Sequence, residues 1–254
     1  MVALACAAAI ALPAGAQRRS AGSRQVVVSA AVSLTDVLQQ LAPAYQQRTG
    51  EQLVLNLGAS NTLARQIRFG AGVDLFISAD EAQMETVSAQ IDPATRVDLL
   101  SNQLAIAVPD DRARTMSSAR DLLDMAIRRI AIGDPSAVPA GVYAKQYLQA
   151  VGIWQDVAMK IVPSGSVRLA LSAVENGAAD AAIVYHTDVA MAAHAREALL
   201  IPVDKGPRIV YPAAMVRAGK NPAGGRRLLA FLQTPEATAV FRRAGFVVPA
   251  AVRN

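Results

Sequence analysis

Cysteine is almost missing from this chain: Cys6 is the only one in 254 residues, and histidine occurs only as His186 and His194. With so few of both, no zinc-type ligand spacing and no disulfide framework can be built. Aromatic residues make up 4% and charged residues 18%. Beyond the N-terminus no apolar run reaches the ~20 residues that a membrane-spanning helix needs. No P-loop occurs, and Gly70-Ala71-Gly72 lacks the rest of a dinucleotide fingerprint. No Gly-x-Ser-x-Gly surrounds Ser33 or Ser60, so a serine-dependent hydrolase using either serine beside Tyr185-His186 has no motif behind it. With every catalytic pattern failing, the sequence reads as a binding protein and not an enzyme, with neither a cofactor nor a bare-cation metal site.

What is present is a globular composition, 53% hydrophobic and rich in Ala and Val. The length allows one large or two modest domains. The net charge is +5, with basic doublets at Arg18-Arg19, Arg128-Arg129, Arg226-Arg227 and Arg242-Arg243. Scattered doublets read as solvated helix faces, whereas a nucleic-acid binder concentrates its charge on one stripe. The opening "MVALACAAAIALPAGAQ" is an apolar run that closes on Ala14-Gly15-Ala16, so residues 1–16 read as a secretory signal peptide. Cys6 lies inside it. Lipid anchoring through Cys6 is the alternative, but Ala3-Leu4-Ala5 makes a poor lipobox, and a mature chain without cysteine must be held by its core alone.

From Val26 onward the pattern alternates. Strands are expected at Val26–Val28, Leu53–Leu55, Val73–Ile77, Leu104–Val108, Ile130–Ile132, Val157–Val162, Ala181–Tyr185 and Tyr211–Val216. Helical spacing places helices over Leu34–Tyr45, Leu63–Ile67, Leu122–Ile127, from Pro139 through Tyr147, over Val167–Asn176, and over Arg226–Gln233 and Glu236–Ala244. Alternating strands and helices argue for an α/β protein with mostly parallel sheets covered on both faces, arranged as two lobes.

Several strand-to-helix turns carry small or hydroxyl residues and no basic side chain. Ser33 follows Ala30-Ala31, and Ser60 sits in "GASNT". "GDPSAVPAG" precedes the helix at Pro139, and Ser164-Gly165-Ser166 precedes the helix at Val167. Each taken alone is an ordinary helix cap, and Ser33 with Asp36 even resembles a capping box. Taken as a set at the carboxyl ends of strands, they offer unpaired N–H donors and positive helix ends to an anion. A site of donors alone suits a fully deprotonated oxyanion, because a ligand that keeps a proton needs an acceptor.

The segments "AAVSLTDVL", "GASNTLARQI", "DLFISAD", "GDPSAVPAGVYAK", "VRLALSAVENGAADAAIVY" and "FRRAGF" run in order from Val26 to Val248. Together they resemble the periplasmic molybdate-binding proteins of ABC importers. The resemblance implies a two-lobed periplasmic binding protein of type II, a monomer, with its ligand in the interlobe cleft. Lobe 1 is expected over residues 25–102 plus 216–254 and lobe 2 over 103–215, with hinge crossings near Gln103 and Met215. Carried over from the family, Ser33 and Ser60 supply hydroxyl and main-chain donors, Ala140 and Val167 supply N–H groups, and Tyr185 its phenol; Ala31 is a weaker main-chain contact. The ligand implied is molybdate or tungstate, delivered in the periplasm to a membrane permease.

Rival ligands are sulfate, thiosulfate and phosphate. Asp134 and Arg168 keep phosphate open, as an acceptor and a guanidinium, although Arg168 reads first as a surface helix residue. A regulator's effector domain would need an attached helix-turn-helix where this chain has its apolar leader.

Overall fold

Val26, Val28 and Ala30 on one face and Ser29 and Ala31 on the other are buried, as expected of β-branched and small residues in a strand covered on both faces. In the computed structural model, which describes residues 25–112 and 115–249, they belong to β1 (Gln25–Ala31). The expected signal peptide, Cys6 and the basic lead lie outside the described residues. β1 runs parallel to β2 (Gln52–Gly58) and β3 (Leu75–Ile77), with Val28 opposite both Leu55 and Leu75. Helix α1 (Thr35–Thr49) buries Val37, Leu38, Leu41 and Tyr45. It ends at Gly50, whose φ of +73° closes the last turn through an N–H bond to Gln46. Helices α2 (Ser60–Arg68) and α3 (Glu81–Glu85) and strand β4 (Val97–Leu100) complete this part of the chain.

The second half repeats the plan. β5 (Leu104–Pro109) is followed by β6 (Ile130–Gly133), α4 (Pro139–Ala150), α5 (Trp154–Val157), β7 (Ile161–Ser164), α6 (Val167–Glu175), β8 (Ala181–Tyr185), α7 (His186–Val189) and β9 (Ala195–Leu200). The chain then returns through β10 (Tyr211–Met215) to α8 (Pro222–Leu232) and α9 (Pro235–Arg243). One sheet has the order β2-β1-β3-β10-β4 and the other β7-β6-β8-β5-β9. In each, four strands point one way and one runs against both its neighbours: β10 in the first, β5 in the second. Each reversed strand is the one that has just crossed from the other sheet, and both are buried throughout. The mostly parallel sheet expected from sequence therefore becomes a mixed sheet with one reversed strand.

The crossings lie between Leu100 and Leu104 and between Leu200 and Tyr211. The second differs from the expected position at Met215. Ala213 pairs with Ile77 and Tyr211 with Leu100, which puts this strand in the first sheet. Two expected elements also change. The helix over Leu122–Ile127 is a 3-10 turn, Ala119–Leu123, that ends at Asp124. The strand from Val157 begins only at Ile161, because a turn of α5 and a 3-10 turn occupy Trp154–Lys160.

At the far edge of the first lobe, Glu51 ties α1 to α8. Its carboxylate accepts from the Tyr45 hydroxyl at 2.7 Å, the Asn221 amide at 3.1 Å and Arg227 Nε at 3.1 Å. The hydrogen bonds from Arg227 are the largest influence and hold the carboxyl down to about 2. No helix among the described residues is long and apolar enough to cross a membrane.

Candidate functional site

Six connections leave the carboxyl ends of strands on the facing sides of the two lobes, among them the one from β3 to α3 that carries Ala79. β1 passes through a 3-10 turn, Val32–Leu34, into α1; β2 leads to α2, β6 to α4, β7 to α6 and β8 to α7. They line a tight, open-mouthed pocket between the lobes. Ala31, Val32, Ser33, Gly58, Ala59, Ser60 and Ala79 line it from one lobe, and Val138, Pro139, Ala140, Val167 and Tyr185 from the other. All six residues singled out in the sequence, Ser33, Ser60, Ala140, Val167, Tyr185 and Ala31, are thus brought to one place. Among the described residues the lining carries no charged side chain.

The serines there are not helix caps. Ser60 is the first residue of α2, and Ala59 before it has no side chain to cap with. Ser60 Oγ instead accepts the Ala79 N–H at 2.9 Å, which leaves its own proton to donate. Ser33 Oγ lies 3.0 Å from the Tyr211 hydroxyl. The capping box suggested by Ser33 and Asp36 does not form. Asp36 accepts from Arg168 at 2.5 Å across the cleft. Ser166 is a true cap, accepting from Leu169 N–H at 3.2 Å, and α6 reaches the pocket through Val167.

Helix α4 starts at Pro139, with no capping side chain at Val138. Its first amides, Ala140 and Gly141, have no acceptor within the helix by geometry. Gly141 is required by close approach: a Cβ there would lie 1.9 Å from the Gly133 carbonyl oxygen. That contact presses the helix start against the end of β6. Tyr185 is 1% exposed, and its hydroxyl has no hydrogen-bond partner among the described residues. Burial first, then the nearby Tyr211, Tyr143, Asp80 and Asp188, pushes its pKa well above the ordinary tyrosine range, so the phenol stays protonated and able to donate.

Arg168 departs from its expected place on a surface face. Its guanidinium bonds to Asp188, fully buried in its own lobe, and to Asp36 in the other. Neither it nor Asp134 lines the pocket; Asp134 accepts from the Ser136 N–H and hydroxyl in a turn. Tyr211 and Asn102, behind Ser33, were missed by sequence reasoning. They sit at the two crossings, and only the meeting of distant strands brings them together. Arg168 and Asp36, 132 residues apart, gave no local signal either. Among the described residues no group of three or more His, Cys, Asp or Glu is placed to hold a metal ion.

Residues 26–247 match the family described as bacterial extracellular solute-binding protein. The chain belongs to that family. Among curated relatives, this solute-binding protein is 37% identical over 232 residues to the molybdate-binding protein ModA of Escherichia coli (strain K12), covering 88% of this chain and 89% of the relative. Among solved structures it superposes on the periplasmic molybdate-binding protein of Azotobacter vinelandii with a TM-score of 0.79 at 26% identity, covering 89% of this chain and 100% of the other. The sulfate-binding protein SubI of Mycobacterium tuberculosis H37Rv superposes with a TM-score of 0.73 at 17% identity, over 87% of this chain and 86% of that one. At that identity the likeness speaks for the fold of this solute-binding protein and not for its ligand.

Proposed function

We propose that this chain captures molybdate in the periplasm and delivers it to the membrane permease of an ABC importer. The observation that carries the reading is a pocket between two lobes whose polar groups are neutral donors, with no carboxylate and no guanidinium in its lining. The identity to a molybdate-binding relative supports it. Molybdate is fully deprotonated at neutral pH and offers acceptors only, which matches such a lining. Hydrogen phosphate brings a proton and finds no carboxylate to take it.

In this reading the Ser33, Ser60 and Tyr185 hydroxyls and the Ala140 and Val167 amides each donate to a ligand oxygen, with Ala31 as a further main-chain neighbour. Hydrogen bonds to a charged partner contribute about 1.5–3 kcal/mol each. Partial positive charge at the starts of α2, α4 and α6 adds to them in a partly buried setting. Sulfate is smaller, so its oxygens do not reach all the donors at once; tungstate, nearly the size of molybdate, does. Closure of the lobes about the two crossings would bury the anion, and the contact between Arg168 and Asp36 across the cleft would hold the closed form.

Calorimetric titration of the purified mature chain with molybdate, with sulfate and phosphate as competitors, tests this. Tight one-to-one binding that excess sulfate does not displace is expected. Heat with sulfate or phosphate and none with molybdate would keep the fold and overturn the ligand.

A further inference from the structure

The serine nearest the lobe crossings does not act alone. Asn102 is 3% exposed, and its Oδ1 accepts the Gln103 N–H at 2.8 Å. That bond fixes the amide's orientation and turns Nδ2 toward Thr187 Oγ1 at 2.9 Å and the Tyr211 hydroxyl at 3.3 Å. Tyr211 is fully buried and carries one proton. With Asn102 donating to it, the neighbour left to receive that proton is Ser33 Oγ at 3.0 Å. Were Ser33 to donate to Tyr211 instead, the buried Tyr211 proton would have no acceptor, an arrangement that folded interiors avoid. The donors therefore run in one direction, from Asn102 to Tyr211 to Ser33, and the Ser33 proton is left for the pocket.

We infer that Tyr211, oriented by Asn102, is a specificity-determining residue that locks the Ser33 hydroxyl as a donor into the pocket and so excludes oxyanions that still carry a proton. The inference rests on the oxyanion-binding reading above. Ser33 keeps a second lone pair, but to accept from a protonated ligand it would have to turn its own proton out of the pocket, toward a Tyr211 hydroxyl whose proton already points at it. Ser60, held by the Ala79 N–H, is fixed in the same sense from the other side of the pocket. Tyr211 touches no ligand in this scheme and acts through Ser33 alone.

The test is a double-mutant cycle between Tyr211→Phe and Ser33→Ala, read by calorimetry with molybdate and with hydrogen phosphate, after thermal melting has confirmed folded protein. Tyr211→Phe is expected to weaken molybdate by up to about tenfold, the worth of the one neutral hydrogen bond that holds Ser33 in its donating orientation. It should also narrow the ratio of molybdate to phosphate affinity, because the Ser33 hydroxyl, no longer fixed in one orientation, can turn its oxygen to a protonated ligand. In the Ser33→Ala background the same change should alter affinity by less than about twofold, since the group it acts through is gone. Unchanged affinity and ratio in Tyr211→Phe, or losses that add fully in the double variant, would overturn the inference. If Tyr211→Phe does not fold, Asn102→Ala interrupts the chain one step earlier. A smaller loss in the same direction supports the inference, and none overturns it. A wild-type chain that binds none of these anions removes the functional reading and this inference together. Wild-type binding with an indifferent Tyr211→Phe removes only the inference.

Discussion

Helices α8 and α9 begin beneath Asn221 and Thr234, whose side chains accept from Gly224 and Ala237. Helices α2 and α4 begin behind Ala59 and Val138, which have nothing to accept with. The first pair packs on the outer side of lobe 1, where each helix start satisfies part of its own N–H set. The second pair faces the pocket and keeps its donors. Helix α6 stands between them, its third amide capped by Ser166 while Val167 reaches the pocket. A capped start adds to stability, while an uncapped start at the end of a parallel strand gives some of that up and gains a place for an anion.

The strongest way to break this contrast is to push an uncapped start out of place. Gly141→Ala sets a methyl 1.9 Å from the Gly133 carbonyl oxygen, and α4 must move off β6. A loss of about 3 kcal/mol in urea unfolding is expected from such overpacking. Displacement of the Ala140 amide should weaken molybdate binding at least about a hundredfold when two donors are misaligned. A variant as stable and as tight as its parent would contradict the close approach. A comparison of serine with threonine sharpens the same point. Ser60→Ala should cost about ten- to a hundredfold in affinity, the range of one hydrogen bond to a charged group. Thr234→Ala should cost about 1 kcal/mol of stability, as for a lost cap, and leave affinity alone. Similar affinity losses in both variants would erase the distinction.

The last contrast concerns the outer region and pH. The Glu51 carboxyl titrates at about 2 in the folded chain and at 4.5 in its ordinary state. Its folded pKa is depressed, so its contribution to stability is present above 4.5 and is lost as pH falls from there toward 2. Thermal melting of Glu51→Gln should show a flatter pH profile across that window than the parent. Parallel profiles would mean that the cluster with Arg227 does not stabilise the fold.

Sequence carried the alternation of strands and helices and the strand-to-helix turns around the pocket, because both are local, while the resemblance to the molybdate-binding family singled out Ala140, Val167, Tyr185 and Ala31. Ser33, Ser60, Ala140 and Val167 all stand where a strand gives way to a helix, and a turn can be seen in a few neighbouring residues. What tertiary contacts decide stayed hidden. Ala195–Leu200 reads "AREALL", rich in helix formers, yet it is strand β9 because β5 offers it an open edge. Leu122–Ile127 has helical spacing, but the turn stops at Asp124. Asp36 looked like half of a capping box because its partner Arg168 lies in the other lobe. Tyr211 and Asn102 show nothing locally, since their roles arise only where two chain crossings meet.

The pressing of Gly141 against Gly133 also bears on how such a pocket can change its ligand over time. Much of its lining speaks through main-chain amides, which every residue but proline shares, so most side-chain replacements around Ala140 leave its chemical vocabulary untouched. Drift toward a new ligand must then proceed by bending the chain, as at this glycine pair, or through the few hydroxyl positions where a single codon alters what is offered.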